Sequence, residues 1–201
     1  MRSGGGACMI ASMAAKLSRH FFARPTLTVA RDLLNQRLVR VHEGERLSGI
    51  IVETEAYVGE DDSAAHSFRG RTARTAIMYG PPGHAYVYFT YGMHWMLNIV
   101  TEGEGFPTAV LIRALAPAEG IETMRRLRGR EPLADGPAKL CQALAIDRAL
   151  LGEDITTSAR LFVERRPQLP DAKVRATPRI GIGYADALAR ERPWRFLAAK
   201  A

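Results

Sequence analysis

Cysteine is scarce in this chain, with two copies, Cys8 and Cys141, in 201 residues. They stand far apart and show no CxxC or CxxH spacing, which leaves no basis for a disulfide framework or a zinc site and fits a reducing cytoplasm. Long apolar runs are missing as well, since nothing approaches the roughly 18 to 20 residues of a membrane span. The segment SGGGACMIASMAAKLSRHFF comes nearest to a signal peptide. Its apolar part is short, Gly4 to Gly6 form a flexible run, and Met9 and Met13 offer alternative starts. Residues 1–16 therefore read as a disordered leader and residues 17–201 as one domain. No internal repeat or linker divides that domain. Acidic excess is also lacking: 28 Lys+Arg against 21 Asp+Glu give a net charge of +7 and a pI near 9.8. That balance suits an anionic partner such as a phosphate backbone, although many basic domains bind nothing anionic.

The hydrophobic pattern alternates between helical and strand periods. PTLTVARDLLNQRL places Leu27, Ala30, Leu33 and Leu34 at helical spacing, with Thr26 or Thr28 available as N-cap. From Leu38, LVRVHEGERLSGIIVETEAY alternates across an EGE turn and predicts a β-hairpin, with Glu53 and Glu55 on one strand face and Ile50, Val52 and Thr54 on the other. Residues 60–74 are polar and read as a loop with one helical turn near Ser63 to His66. GPPGHAYVYFTYGMHWMLNIV predicts a second hairpin broken at Tyr91-Gly92. TAVLIRAL is a further strand ending at Pro117, followed by the amphipathic helix AEGIETMRRLRG closing on Gly129. Pro137 suits the first position of a helix over GPAKLCQALAI. Short strands are expected near LFVE, RIGIGYA and WRFLA. The order is α+β, built on antiparallel hairpins with helices to one side.

Several side chains stand out against this framework. Glu55 sits in a largely apolar strand, so its carboxylate either faces solvent at an edge or turns into a cleft where desolvation tunes its basicity. Tyr57 follows two positions later on the same face. Arg113, in the apolar strand AVLIRAL, needs an anionic partner, and Glu55 is the candidate, whose ionised form a guanidinium would favour. Tyr86 and Tyr88 share a strand face, while Tyr91 stands at the hairpin turn. There it either folds back on the surface or acts as a wedge in a base stack. Tyr57, Tyr88 and His66 could supply π faces for an extruded base. Arg69, Arg71 and Arg74 read either as a solvated basic loop or as a phosphate-contacting rim.

VETEAYVGEDDSAAHS, YVYFTYGMHWMLNI, VLIRALAPAEGIETMRRLR and GPAKLCQALAI, with RIGIGYA and WRFLA, resemble in order the signature segments of the alkyladenine (3-methyladenine) DNA glycosylases. The likeness runs from about Leu17 to the end. It implies a single compact α+β domain with a curved antiparallel sheet of hairpins and flanking helices. It implies no metal or organic cofactor. Glu55 stands where the family has its general base, Arg113 where an arginine helps hold the attacking water, and Ile180 where a main-chain carbonyl contacts that water. Tyr57, His66 and Tyr88 match the walls that stack the damaged base. Asn98 matches the residue that crowds the exocyclic amine of guanine. Tyr91 matches the intercalating tyrosine, with Met93 beside it at the DNA. The resemblance further implies a bacterial cytoplasmic, nucleoid-associated monomer acting on double-stranded DNA with damaged purines and not on membranes.

An alkylated purine carries a positive charge and already leaves readily, whereas a neutral lesion such as hypoxanthine needs an acid. Glu53 is the nearest candidate, and a solvated strand face explains it equally well. With no lysine near the tyrosines, strand-cleaving lyase chemistry is not expected. Two rivals are an inactive nucleic-acid-binding module resembling the formyltransferase C-terminal domain, which has no need of Glu55 with Arg113, and a carbohydrate hydrolase. The latter wants two opposed carboxylates; Asp61 and Asp62 are on offer, but they read as solvated.

Overall fold

A computed structural model describes residues 15–199. The leader reading falls on residues outside that range except for its last two. Ala15 accepts from the Arg165 amide and Lys16 bridges to Glu164, so both pair with the protein body.

The first hairpin forms where the EGE turn predicts it. Strands β1 (Arg37–His42) and β2 (Glu45–Val58) pair antiparallel. Glu43 and Gly44 between them both take positive φ, 50° and 81°, the pair of left-handed residues that a tight hairpin turn requires. β3 (Ala85–Thr90) and β4 (His94–Val100) form the second hairpin around Tyr91, whose own φ is 52°. β5 (Thr108–Glu119) lies between β4 and β2. It does not stop at Pro117: proline lacks an N–H but not a carbonyl, and pairing continues to Glu119 opposite Ser48 across a register shift. β6 (Leu161–Glu164) adds to β1, and, of β7 (Val174–Thr177) and β8 (Arg195–Ala198), β8 pairs with the Glu53–Glu55 part of β2 and β7 pairs with β8. The strand expected at RIGIGYA is instead a loop, and the strand of that region lies earlier, in β7. The result is a curled, fully antiparallel sheet with flanking helices, an α+β domain; the expected one-sided arrangement holds for the helices over the main core, while Ala189 of a later helix packs on the opposite face with Ala64 and Tyr57.

The helices are short and depend on packing. α1 (Arg19–Phe22) and α2 (Thr26–Asp32) bury Phe21, Phe22, Val29 and Ala30. Neither Thr26 nor Thr28 caps α2. The Thr26 amide and hydroxyl donate to the Glu102 carboxylate, which neutralises the helix start from 76 residues away. α3 (Ile121–Arg128) ends on left-handed Gly129 and α4 (Pro137–Ala143) starts on Pro137, both as expected; α5 (Ala187–Glu191) follows the capping side chain of Asp186.

Strand alternation assigns each sheet face a job. Ala56, Ala85, Val87, Leu97, Ile99, Val110 and Ile112 point into the main core beneath the helices. The intervening positions point the other way, and register aligns them in rows. One row runs Glu55–Leu111–Asn98–Tyr86 across β2, β5, β4 and β3. Tyr57 stands opposite Ala109 in the adjacent row.

Candidate active site

The cavity on that second face is lined by Tyr57, Ala64, His66, Met78, Tyr86, Tyr88, Asn98, Ala109 and Tyr184 and measures about 320 Å³ including its mouth. Its floor is the sheet and its walls are loops. His66 begins a 3-10 turn (His66–Arg69), one turn later than expected, and its Nδ1 lies 3.0 Å from the Tyr86 hydroxyl. Its ring meets Tyr88 edge to face, 4.5 Å between centroids. Burial, with the Arg74 cation nearby, pushes His66 down to about 4, so the imidazole is neutral at physiological pH. Asn98 is buried, and its side-chain amide donates to the Tyr86 carbonyl at 3.3 Å.

Glu55 lies behind the Tyr57 wall and is fully buried. Three donors hold it: the Tyr57 hydroxyl at 2.9 Å and Arg113 Nη1 at 3.2 Å on Oε2, and the Ile180 amide at 2.7 Å on Oε1. Arg113 is thus the expected partner. A paired irregularity in the sheet places it, because the β2–β5 register skips Val52 on one strand and Arg113 on the other, a bulge that re-aims side chains. Ile180 reaches Glu55 through its main chain, and the contact seen is made by the N–H.

The charge balance around Glu55 differs from what Arg113 alone suggests. Burial is the largest influence and raises the carboxyl above its ordinary 4.5; Arg113, the Ile180 amide and Tyr57 pull it back only in part. Burial first, and the Glu55 carboxylate second, hold the Tyr57 phenol well above its usual range, so it remains a donor.

Two expectations about carboxylates are corrected. Glu53 does not line the cavity. Its Oε1 accepts from Arg113 Nε at 2.9 Å and Arg195 Nη1 at 3.0 Å, so two guanidinium groups occupy it and it is no candidate acid. Asp62 is not solvated but fully buried, gripped by Arg179 at 2.5 and 2.8 Å. Arg179 itself lies between the rings of Tyr57 and Trp194. Sequence reasoning missed Arg179 and Tyr184. The Tyr184 hydroxyl donates to the Ala64 carbonyl at 2.9 Å while its ring stays exposed at the cavity mouth; an aromatic directly after Gly183 was the available signal.

The hairpin tip stands apart from this buried network. Tyr91 is 79 % exposed and Met93 63 %. Arg74 lies over the Tyr88 ring at 5.1 Å, which puts a cation at the cavity rim. Among the described residues no group of His, Cys, Asp and Glu is arranged to hold a metal ion, and no helix is long and apolar enough to cross a membrane.

The family profile described as Methylpurine-DNA glycosylase (MPG) matches residues 20–201. The chain belongs to that family. It is 53 % identical over 186 residues to a Methanocella arvoryzae protein named "Putative 3-methyladenine DNA glycosylase", covering 90 % of each chain. A Carboxydothermus hydrogenoformans protein of the same name is 49 % identical, with 90 % of this chain and 93 % of the relative covered. One from Bacillus cereus is 45 % identical, at 88 % and 92 %. Membership makes the chain a DNA glycosylase of base excision repair, with DNA as its substrate, and sets aside the inactive-module rival. The Asp62–Arg179 lock removes the carboxylate pair that the carbohydrate-hydrolase reading needed.

Proposed function

We propose that this glycosylase extrudes a damaged purine, 3-methyladenine-like or deaminated, from duplex DNA and hydrolyses its N-glycosidic bond, leaving an abasic site. Glu55 is the general base: it takes a proton from water as the water oxygen bonds to the anomeric carbon and the bond to the purine breaks, with the electron pair leaving on the base. The supporting observation is that Glu55, alone of the site's carboxylates, is buried beside an aromatic cavity with an acceptor position on Oε1 not taken by any described residue. Arg113 holds the other oxygen, and the main chain at Ile180 borders the water's position. Tyr57, His66 and Tyr88 stack the extruded base.

Neutral His66 and electron-rich phenol rings give a wall that attracts a cationic base without repelling it. With Glu53 occupied, the site favours lesions whose positive charge already loosens the bond. Asn98 screens normal guanine. Tyr91, with Met93 beside it, enters the stack at the vacated position. Of the described lysines, Lys16, Lys139 and Lys173, none lines the cavity, which supports hydrolysis without lyase action.

The test is a labelled duplex carrying one methylated purine, incubated with enzyme and divided. Strand scission at the lesion only after alkali supports monofunctional excision, and scission without alkali overturns it.

A further inference from the structure

Outside the residues already assigned roles, the buried ion pair Asp62–Arg179 has the most connections to the site. Both side chains are fully buried. Asp62 also accepts from the amides of Val58 and Ala64, at 3.2 Å each, which ties the end of β2 to the loop that carries Ala64 and His66. Arg179 donates to the carbonyls of Ala56, at 2.9 Å, and Ala189, at 3.2 Å. One guanidinium therefore pins β2, the first loop and α5 together. It also lies against the Tyr57 ring, 4.8 Å from its centroid. The next residue along the chain, Ile180, donates its amide to Glu55 Oε1.

The geometry points to Asp62 and Arg179 as positioning residues for excision: their ion pair fixes the loop and backs the Tyr57 ring so that the Ile180 amide and the Tyr57 hydroxyl hold the Glu55 carboxylate in its working orientation. Neither side chain lines the cavity. They act through Glu55, and this assignment rests on Glu55 being the general base. A bidentate pair suits the task because it restricts rotation as well as distance, which a single contact does not. The placement of one amide matters because misplacement of a reacting group by about 1 Å costs roughly 10²-fold in rate.

A pH profile separates positioning from charge. The ionisable groups around Glu55 are Arg113 on β5, Tyr57 on β2, Tyr88 on β3, and Arg179 and Tyr184 on the loop. In Asp62→Asn an anion near Glu55 is lost, and charge alone would move the acidic limb of excision to lower pH. Loosening the Ile180 amide withdraws a donor from the carboxylate and moves the limb to higher pH. Arg179→Lys keeps the charge and the stem but loses the fork, and moves the limb the same way.

The experiment is single-turnover excision from pH 4 to 9 at saturating enzyme on a duplex with one methylated purine, for wild type, Asp62→Asn, Arg179→Lys and Glu55→Gln, each confirmed folded by circular dichroism. We expect both lock variants to lose roughly 10- to 100-fold at neutral pH, to shift the limb upward by about half a unit or more, and to keep duplex affinity. If Asp62→Asn does not fold, Arg179→Lys carries the test. A limb that belongs to Glu55 yet stays in place or moves downward in the lock variants overturns the positioning role alone. A limb that persists in Glu55→Gln overturns the base assignment, and this inference with it.

Discussion

Glu55 and Asp62 are both fully withdrawn from solvent and both paired with arginine, yet their surroundings fit them for opposite work. Asp62 receives four donors, two from Arg179 and one each from the amides of Val58 and Ala64. These fill the acceptor positions of a carboxylate and leave it nothing to do but hold. Glu55 receives three, from Tyr57, Arg113 and Ile180, and burial leaves its carboxyl above the ordinary range. An under-satisfied buried carboxylate is costly for folding and useful for taking a proton. Burial of an acid therefore says little about its role; the number of acceptor positions it has left unfilled says more.

Exchanging the two acids for neutral side chains should separate these roles. Glu55→Gln should cut single-turnover excision by roughly 10² to 10⁴ while leaving duplex affinity in place, and retention of near wild-type excision would remove Glu55 from the chemistry. Its stability should respond in the reverse direction. Because the folded carboxyl is raised, the stability Glu55 contributes is full below its unfolded value and declines as pH rises through the folded one. The melting temperature of Glu55→Gln should thus gain on wild type between pH 4 and pH 7; a constant difference would contradict the raised carboxyl. Asp62→Ala should instead lose about 3 to 5 kcal/mol, the cost of leaving Arg179 buried without its partner. A urea melt that shows less than about 1 kcal/mol of loss would end the contrast between the two acids.

The sequence made one member of this comparison visible and hid the other. Glu55 and Arg113 were legible because strand alternation puts Glu55 and Tyr57 on one face and because a lone arginine in an apolar strand demands an anion. Asp62 and Arg179 are 117 residues apart, one in a polar loop that reads as solvated, the other in a segment whose alternating Ile and Gly mimic a strand. No local period couples them. Hairpins and helix ends followed from turn and cap residues, as at Gly44, Gly129 and Pro137. The bulge at Val52 and Arg113 and the capture of the α2 start by Glu102 depend on tertiary contacts that no window of sequence contains.

The exposed hairpin tip offers a smaller contrast with the buried network. Tyr91→Ala should slow excision by roughly ten-fold more for a lesion in a stable pair than for one in a mismatch, where unstacking is already cheap, with the salt slope of binding unchanged. Equal losses on both duplexes would make Tyr91 a surface tyrosine. The smallest effect is expected at Asn98. Asn98→Ala should raise release of guanine or alkylguanine relative to alkyladenine, and an unchanged ratio of released purines would remove the screening role.

The contrast between the two acids is tested most directly by wild-type single-turnover excision followed across pH on a methylated duplex. We expect the rate to rise with pH through one ionisation lying above the ordinary carboxylate value of 4.5, and this ionisation to vanish in Glu55→Gln. A flat profile, or an acidic limb that remains in Glu55→Gln, would contradict it.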